Sequence, residues 1–137
     1  MNPQRTLKFL NVDLDIESLK NLRPLADELG EKVVVLHQGP AKQRGYILAL
    51  ESSKSRRTPD SAIRALCSAV ARLSESSQEI WSAAHRKVFD IGYEMKTGGG
   101  VSQFELRPET VKLIASVGAT VGITFYKREN LPKTSKR

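Results

Sequence analysis

The 137-residue chain is short of the residues from which most chemical sites are built. It has a single cysteine, Cys67, so no internal disulfide can form; together with the features below this points to a reducing, cytoplasmic setting. Its two histidines, His37 and His85, stand far apart, with no His-x-x-x-His pair, and there is no Asp-x-Asp-x-Asp-Gly loop. The glycine run in KTGGG lacks the Lys-Ser/Thr of a phosphate loop, and GPAKQRG departs from that motif as well. Aromatic residues make up 6% of the chain and show no aromatic–basic signature of an RRM or cold-shock domain. No apolar run approaches the roughly 20 residues needed to span a bilayer. The opening MNPQRTLKFL is too polar for a signal peptide.

What is present describes a folded domain. Hydrophobic residues make up 39% and charged residues 27%, enough apolar surface for one core. Residues 1–127 are expected to form a single domain, and RENLPKTSKR, 128–137, a basic disordered tail. The net charge of +7 matters less than where it lies. Lys54, Arg56 and Arg57 fall in SSKSRRT; Lys127, Arg128, Lys133, Lys136 and Arg137 fall at the end; Lys42 and Arg44 flank a Gly-rich turn. No helix carries a basic stripe, so the plain reading is solvated loops and a solubilising tail.

Periodicity sets the elements. Residues 6–17 read as a strand with Leu10, Val12, Leu14 and Ile16 on one face, and Leu7 and Phe9 out of step with them. That phase fits a strand emerging from a sheet, or a strand with a bulge. A helix over 22–29 stops at Gly30; strands over 32–39 and 45–52 flank the hairpin turn GPAKQR. Thr58-Pro59-Asp60 is an N-cap, a first-turn proline and an acid on the dipole, followed by the stripe Ile63, Leu66, Cys67, Val70 and Leu73. A second helix starts after SESSQ and runs to about Arg86, placing His85 on one face with Trp81. KVFDIGYEM alternates as a strand, KTGGG is a loop, and VSQFEL is a strand. Pro108 opens a helix that stops at Gly118, and ATVGITFYK is the last strand. The predicted order is β-α-β-β-α-α-β-β-α-β, an α+β fold with one mostly antiparallel sheet and helices on one face. An exposed strand edge, such as that of the last strand, is where two copies would pair; the sequence does not say which edge is free.

The stretch NVDLDIES places Asp13, Asp15 and Glu17 at alternate positions of the first strand, and Asp90 and Glu94 alternate on a later one. Hard cations and glycoside hydrolysis both use such carboxylates. The simpler reading is the wet face of a sheet covered on its other side. Like charges directly opposite each other repel, so a true ladder of acids needs basic residues beside it, and Lys8, Lys87 and Lys96 lie out of phase. The strand over 32–39 reads as buried, with His37 at its end bonded to backbone, and Cys67 reads as a small buried core residue rather than a nucleophile.

NVDLDIES, LADELGEKVVVLHQG, HRKVFDIGYE with its preceding Trp81 helix, and FELRPETVKLIASVGATVGITFYK together resemble a family of small bacterial proteins filed as a domain of unknown function. The resemblance rests on patterning over most of residues 6–127 and brings no active site with it. It implies that the chain is an immunity-type protein that neutralises a toxin made by the same cell. The expected function is accordingly a non-catalytic protein-binding module without cofactor or metal. Its contact groups are Asp13, Asp15 and Glu17, or the basic loop at Lys54, Arg56 and Arg57. The competing expectation is nucleic-acid binding through the basic loops and tail; a metal-dependent enzyme using the acidic face stands third.

Overall fold

The structure, a computed structural model, describes residues 7–96 and 101–127; most of the expected KTGGG loop and all of the expected tail at 128–137 lie outside them. Five strands form one sheet: β1 (Leu7–Ser18), β2 (Val33–Pro40), β3 (Tyr46–Ser52), β4 (Arg86–Met95) and β5 (Thr120–Lys127). Their order across the sheet is β2-β3-β1-β4-β5. Pairing is antiparallel except between β4 and β5. With α1 (Arg23–Leu29), α2 (Pro59–Ala71), α3 (Glu75–Ala83) and α4 (Pro108–Ser116), the fold is the α+β arrangement expected. Its first part has the β-α-β-β-α-β connectivity of a split βαβ unit, widened here by α3 and by the crossover α4–β5.

β1 is central, and a bulge fixes its phase. The register against β4 shifts between Phe9 and Asn11, so Leu10 is the extra residue. Leu7 and Phe9, opposite Met95 and Tyr93, thereby join the face of Val12, Leu14 and Ile16. The bulge, rather than an emerging strand, explains the apolar residues that seemed out of step. Val12, Leu14 and Ile16 pack with Leu48 and Leu50 of β3 and Phe89, Ile91 and Tyr93 of β4 in one buried cluster. All four helices contribute to it: Leu25 and Leu29 from α1, Ile63, Leu66 and Val70 from α2, Trp81 from α3 and Ile114 from α4. Each fully buried Leu, Ile, Val or Phe is worth about 1.5–3 kcal/mol of hydrophobic stabilisation, which is why all four helices lie on that one face.

The helix starts are specified locally. Thr58 Oγ1 accepts from Ser61 N–H at 3.1 Å, with Pro59 at the first helical position of α2. Ser74 Oγ accepts from Ser77 N–H at 3.3 Å at the start of α3, and Glu28 takes the Ser74 N–H, the Ser74 hydroxyl and the Ser77 hydroxyl at 2.6, 2.7 and 2.6 Å. Arg107, which precedes α4, has no side-chain cap of its own. Instead Asp60 of α2 accepts the Arg107 N–H at 2.7 Å and ties the two helices together. The β2–β3 turn is closed by Gly45 at φ +89°, where an added Cβ would sit 2.5 Å from the Ser18 carbonyl oxygen.

Three local expectations are corrected. VSQFEL, 101–106, is not a strand. Instead, Ser102 Oγ accepts from the Leu7 N–H of β1 at 3.2 Å, and Phe104 turns onto the apolar face, where it packs 5.0 Å from the Tyr93 ring. The helix after Ser74 ends at Ala83 rather than near Arg86. Lastly, β2 is an edge strand with Val34, Val35, Leu36 and His37 exposed, not a buried one.

Burial drives the Asp60 carboxyl up, but the Arg107 N–H, the adjacent Thr110 side chain and the charges of Arg64 and Arg107 together hold it below the usual carboxylate range. A depressed acid stabilises the fold above its unfolded pKa and loses that contribution as pH falls through the lower, folded value. Asp60→Ala should therefore cost about 1–3 kcal/mol in urea unfolding at neutral pH. The gap from wild type should close on acidification below about pH 4.

Candidate functional site

Alternate residues of three strands point to the face that no helix covers. β1 contributes Asn11, Asp13, Asp15 and Glu17; β4 contributes Asp90 and Glu94 around Gly92; β3 contributes Glu51. The expected acids are thus gathered on one surface, with Asp13 directly opposite Asp90. Asp13, Asp15, Glu17, Glu51 and Asp90 are half-buried, and Glu94 is buried.

Like charges in register repel, and neutral donors, rather than a flanking lysine, answer the problem at the centre. The Asn11 amide Nδ2 donates to Asp13 Oδ1 and, at 2.7 Å, to Glu51 Oε2, so one side chain holds two carboxylates. The Thr124 hydroxyl of β5 lies 2.8 and 2.9 Å from the two Asp90 oxygens. Gly92 makes room for this: a Cβ there would be 3.3 Å from Asn11 Oδ1 and 3.5 Å from the Tyr126 ring. Cations stand only at the two ends of the row: Lys8, which the bulge brings into phase against expectation, is opposite Glu94 at one end, and Arg86 and His85 are at the other. Glu17 lies 3.4 Å from Arg86 and 3.8 Å from His85, in pairs exposed enough to be worth little. Asp15 sits between these arrangements. Burial, then the charge of Asp90, push its carboxyl above the usual range; Arg86 pulls it down and Glu17 adds to the rise.

Among the described residues, no three of His, Cys, Asp and Glu converge as a metal-binding group. Residues two apart on a strand are about 6–7 Å apart, so the row spreads its oxygens instead of focusing them. A hollow of about 190 Å³ beside Arg23, Gln38, Pro40 and Tyr46 has no carboxylate, histidine or cysteine in its lining.

The basic candidates form a separate surface. Lys54, Arg56 and Arg57 lie in the connection from β3 to α2, at the sheet end where β1 begins. Lys8, Lys32, Lys96 and Lys127 belong to that same end, because β2 starts there and β4 and β5 finish there. Lys42 and Arg44, in the β2–β3 turn, are at the opposite end. Residues scattered along the chain thus become one basic end next to an acidic face.

Several single residues resolve differently from their sequence pattern. His85 lies beyond α3 against Glu17 and shares no helix face with Trp81. The Trp81 indole N–H donates to the Val117 carbonyl at 2.8 Å, and Lys87 lies 5.4 Å from its ring. Cys67 is buried, and burial raises its thiol to about 11, as suits a core residue. Gly92 alternates with Asp90 and Glu94 in the sequence, but Asn11, Glu51 and Thr124 were missed as parts of the acidic face. Asn11 alone carried a signal, standing in phase two residues before Asp13.

No helix among the described residues is long and apolar enough to cross a membrane. No family model, curated protein or solved structure matches the chain.

A raised acid destabilises the fold at every pH above its folded pKa, because the native state resists ionisation. Asp15→Asn should stabilise the protein at neutral pH, by about 1 kcal/mol or less. Thermal unfolding of both proteins at about pH 7 and about pH 3 checks this: the gain should vanish at the lower pH, where the wild-type carboxyl is also neutral.

Proposed function

We propose that this chain is a non-catalytic protein-binding module that presents its open acidic sheet face to a basic surface of a partner. The observation that carries the reading is the Asn11-centred network. It holds Asp13 and Glu51 together beside Asp90 on a face with no helix over it. Such an arrangement supplies charge complementarity and fast, selective association, and it asks for no bond-making group. A fitting partner carries arginine or lysine in a cleft, as an enzyme that acts on nucleic acid does. Occluding such a cleft is how an immunity protein would neutralise a toxin in the cytoplasm, in keeping with the family that the sequence resembles.

The basic end of the sheet favours a second reading, nucleic-acid binding through Lys54, Arg56, Arg57 and their neighbours. One experiment separates the two. The tagged protein is used to capture partners from nuclease-treated lysate, and bound proteins are identified by mass spectrometry. A stoichiometric basic protein is expected. The triple variant Asp13→Asn, Asp15→Asn, Glu17→Gln should weaken its affinity about a hundredfold or more with the circular-dichroism spectrum unchanged. If nuclease empties the eluate, and recovered nucleic acid binds with a steep salt dependence that Arg56→Gln and Arg57→Gln reduce, the second reading replaces the first.

A further inference from the structure

The two edges of the sheet differ in a way that bears on self-association, independently of the acidic face. An unpaired strand edge is a template for another chain, and natural sheets blunt it with bulges, prolines or charges. β2 has two of these devices. Its register against β3 shifts between Val35 and His37, and it ends in Gly39-Pro40. β5 has none: its pairing with β4 runs from Thr120 to Lys127 without a shift, and it has neither proline nor charge before Lys127. Its helix-side residues Val121, Ile123 and Phe125 are 40%, 57% and 52% exposed although they lie beside the buried Phe89, Ile91 and Tyr93. The core therefore reaches this edge and stops uncovered.

We infer that β5 pairs antiparallel with β5 of a second copy, joining two five-stranded sheets into one across a two-fold axis at Ile123. The sequence of the strand is self-complementary about that residue. With Ile123 opposite its own copy, Val121 meets Phe125 and Gly122 meets Thr124, while Thr120 meets Tyr126. Antiparallel partners share a face, so the apolar residues stay together on the helix side and the small and hydroxyl residues on the open side. No charge faces a like charge over those seven positions. Gly122 leaves an edge strand without a side chain at its middle, and the copy's Thr124 opposite and Tyr126 on the diagonal cover that gap. An isologous pair of this kind also closes on itself, as a soluble dimer must.

Sedimentation equilibrium of the full chain over a concentration series tests this. A species of twice the 15.2 kDa chain mass is expected. Ile123→Lys should return it to the monomer with its circular-dichroism spectrum intact, and Val35→Lys on the other edge should leave the dimer in place. A second variant guards against misfolding. Opposite residues in an antiparallel pair have Cα atoms about 4.5–5.5 Å apart, within disulfide range. Ile123→Cys should therefore oxidise to a covalent dimer, and Val35→Cys should not. A wild-type chain that stays monomeric throughout, or a dimer that survives Ile123→Lys or is abolished by Val35→Lys, overturns the proposal. So does failure of Ile123→Cys to cross-link.

Discussion

Val12, Leu14 and Ile16 of β1 face the helices while Asn11, Asp13, Asp15 and Glu17 face away, and the two sets interleave residue by residue. A slip of one position would exchange them, driving three carboxylates into the core. The cost of burying unpaired charge is far above the few kcal/mol separating folded from unfolded chains. The register of β1 against β3 and β4 is thus fixed by its own side chains. The bulge at Leu10 follows from the same constraint. Without it Leu7 and Phe9 would stand on the acidic face; with it they meet Met95 and Tyr93 on the apolar one.

That constraint creates a secondary one. Once β1 and β4 are locked in register, Asp13 must sit opposite Asp90. The chain resolves this with an amide and a hydroxyl from either side instead of with cations. Asn11 has two N–H groups and both are used on carboxylates; Thr124 reaches Asp90 from the next strand. Neutral donors leave the negative charge of the Asp13–Asp90 centre in place; the in-phase lysine, Lys8, stands at the end of the row opposite Glu94. A face whose acids are held but not neutralised differs from an ordinary wet sheet face, where polar residues simply alternate with apolar ones.

The fold was largely legible because its signals are local. Alternation in β1 and β4, the Thr58-Pro59-Asp60 start of α2 and the Ser74 start of α3 all appear as the periodicity and caps indicate. VSQFEL misled because its alternation is real but its use is tertiary. Phe104 turns to pack on Phe9 and Tyr93, and Ser102 bonds the Leu7 backbone through its side chain rather than through a strand ladder. β2 misled in the opposite sense: VVVL looks buried, yet it lies at the sheet edge with only Val33 buried. The acids of the candidate site were visible as a row, but their company was not. Glu51, Gly92 and Thr124 come from three other stretches, and only strand order and register bring them to Asn11 and Asp90.

The same register explains how a chain of net charge +7 can have an acidic face. Lys8, Lys32, Lys54, Lys96 and Lys127 collect at the end of the sheet where β1 begins, with Lys42, Arg44 and Arg86 at the other, and most of the carboxylates occupy the middle and far part of its open face. With a strand rise of about 3.4 Å per residue, Glu17 lies more than 30 Å from the start of β1, but Glu51, level with Asp13, is only three residues, or about 10 Å, before Lys54. Charges in physiological salt are screened over about 8 Å. A partner seated on Asp15 and Glu17 therefore feels little of the basic end, whereas one that reaches Glu51 or Glu94 also meets Lys54 or Lys8. Net charge then says nothing about either contact, and each surface has to be judged by the side chains within its own screening distance.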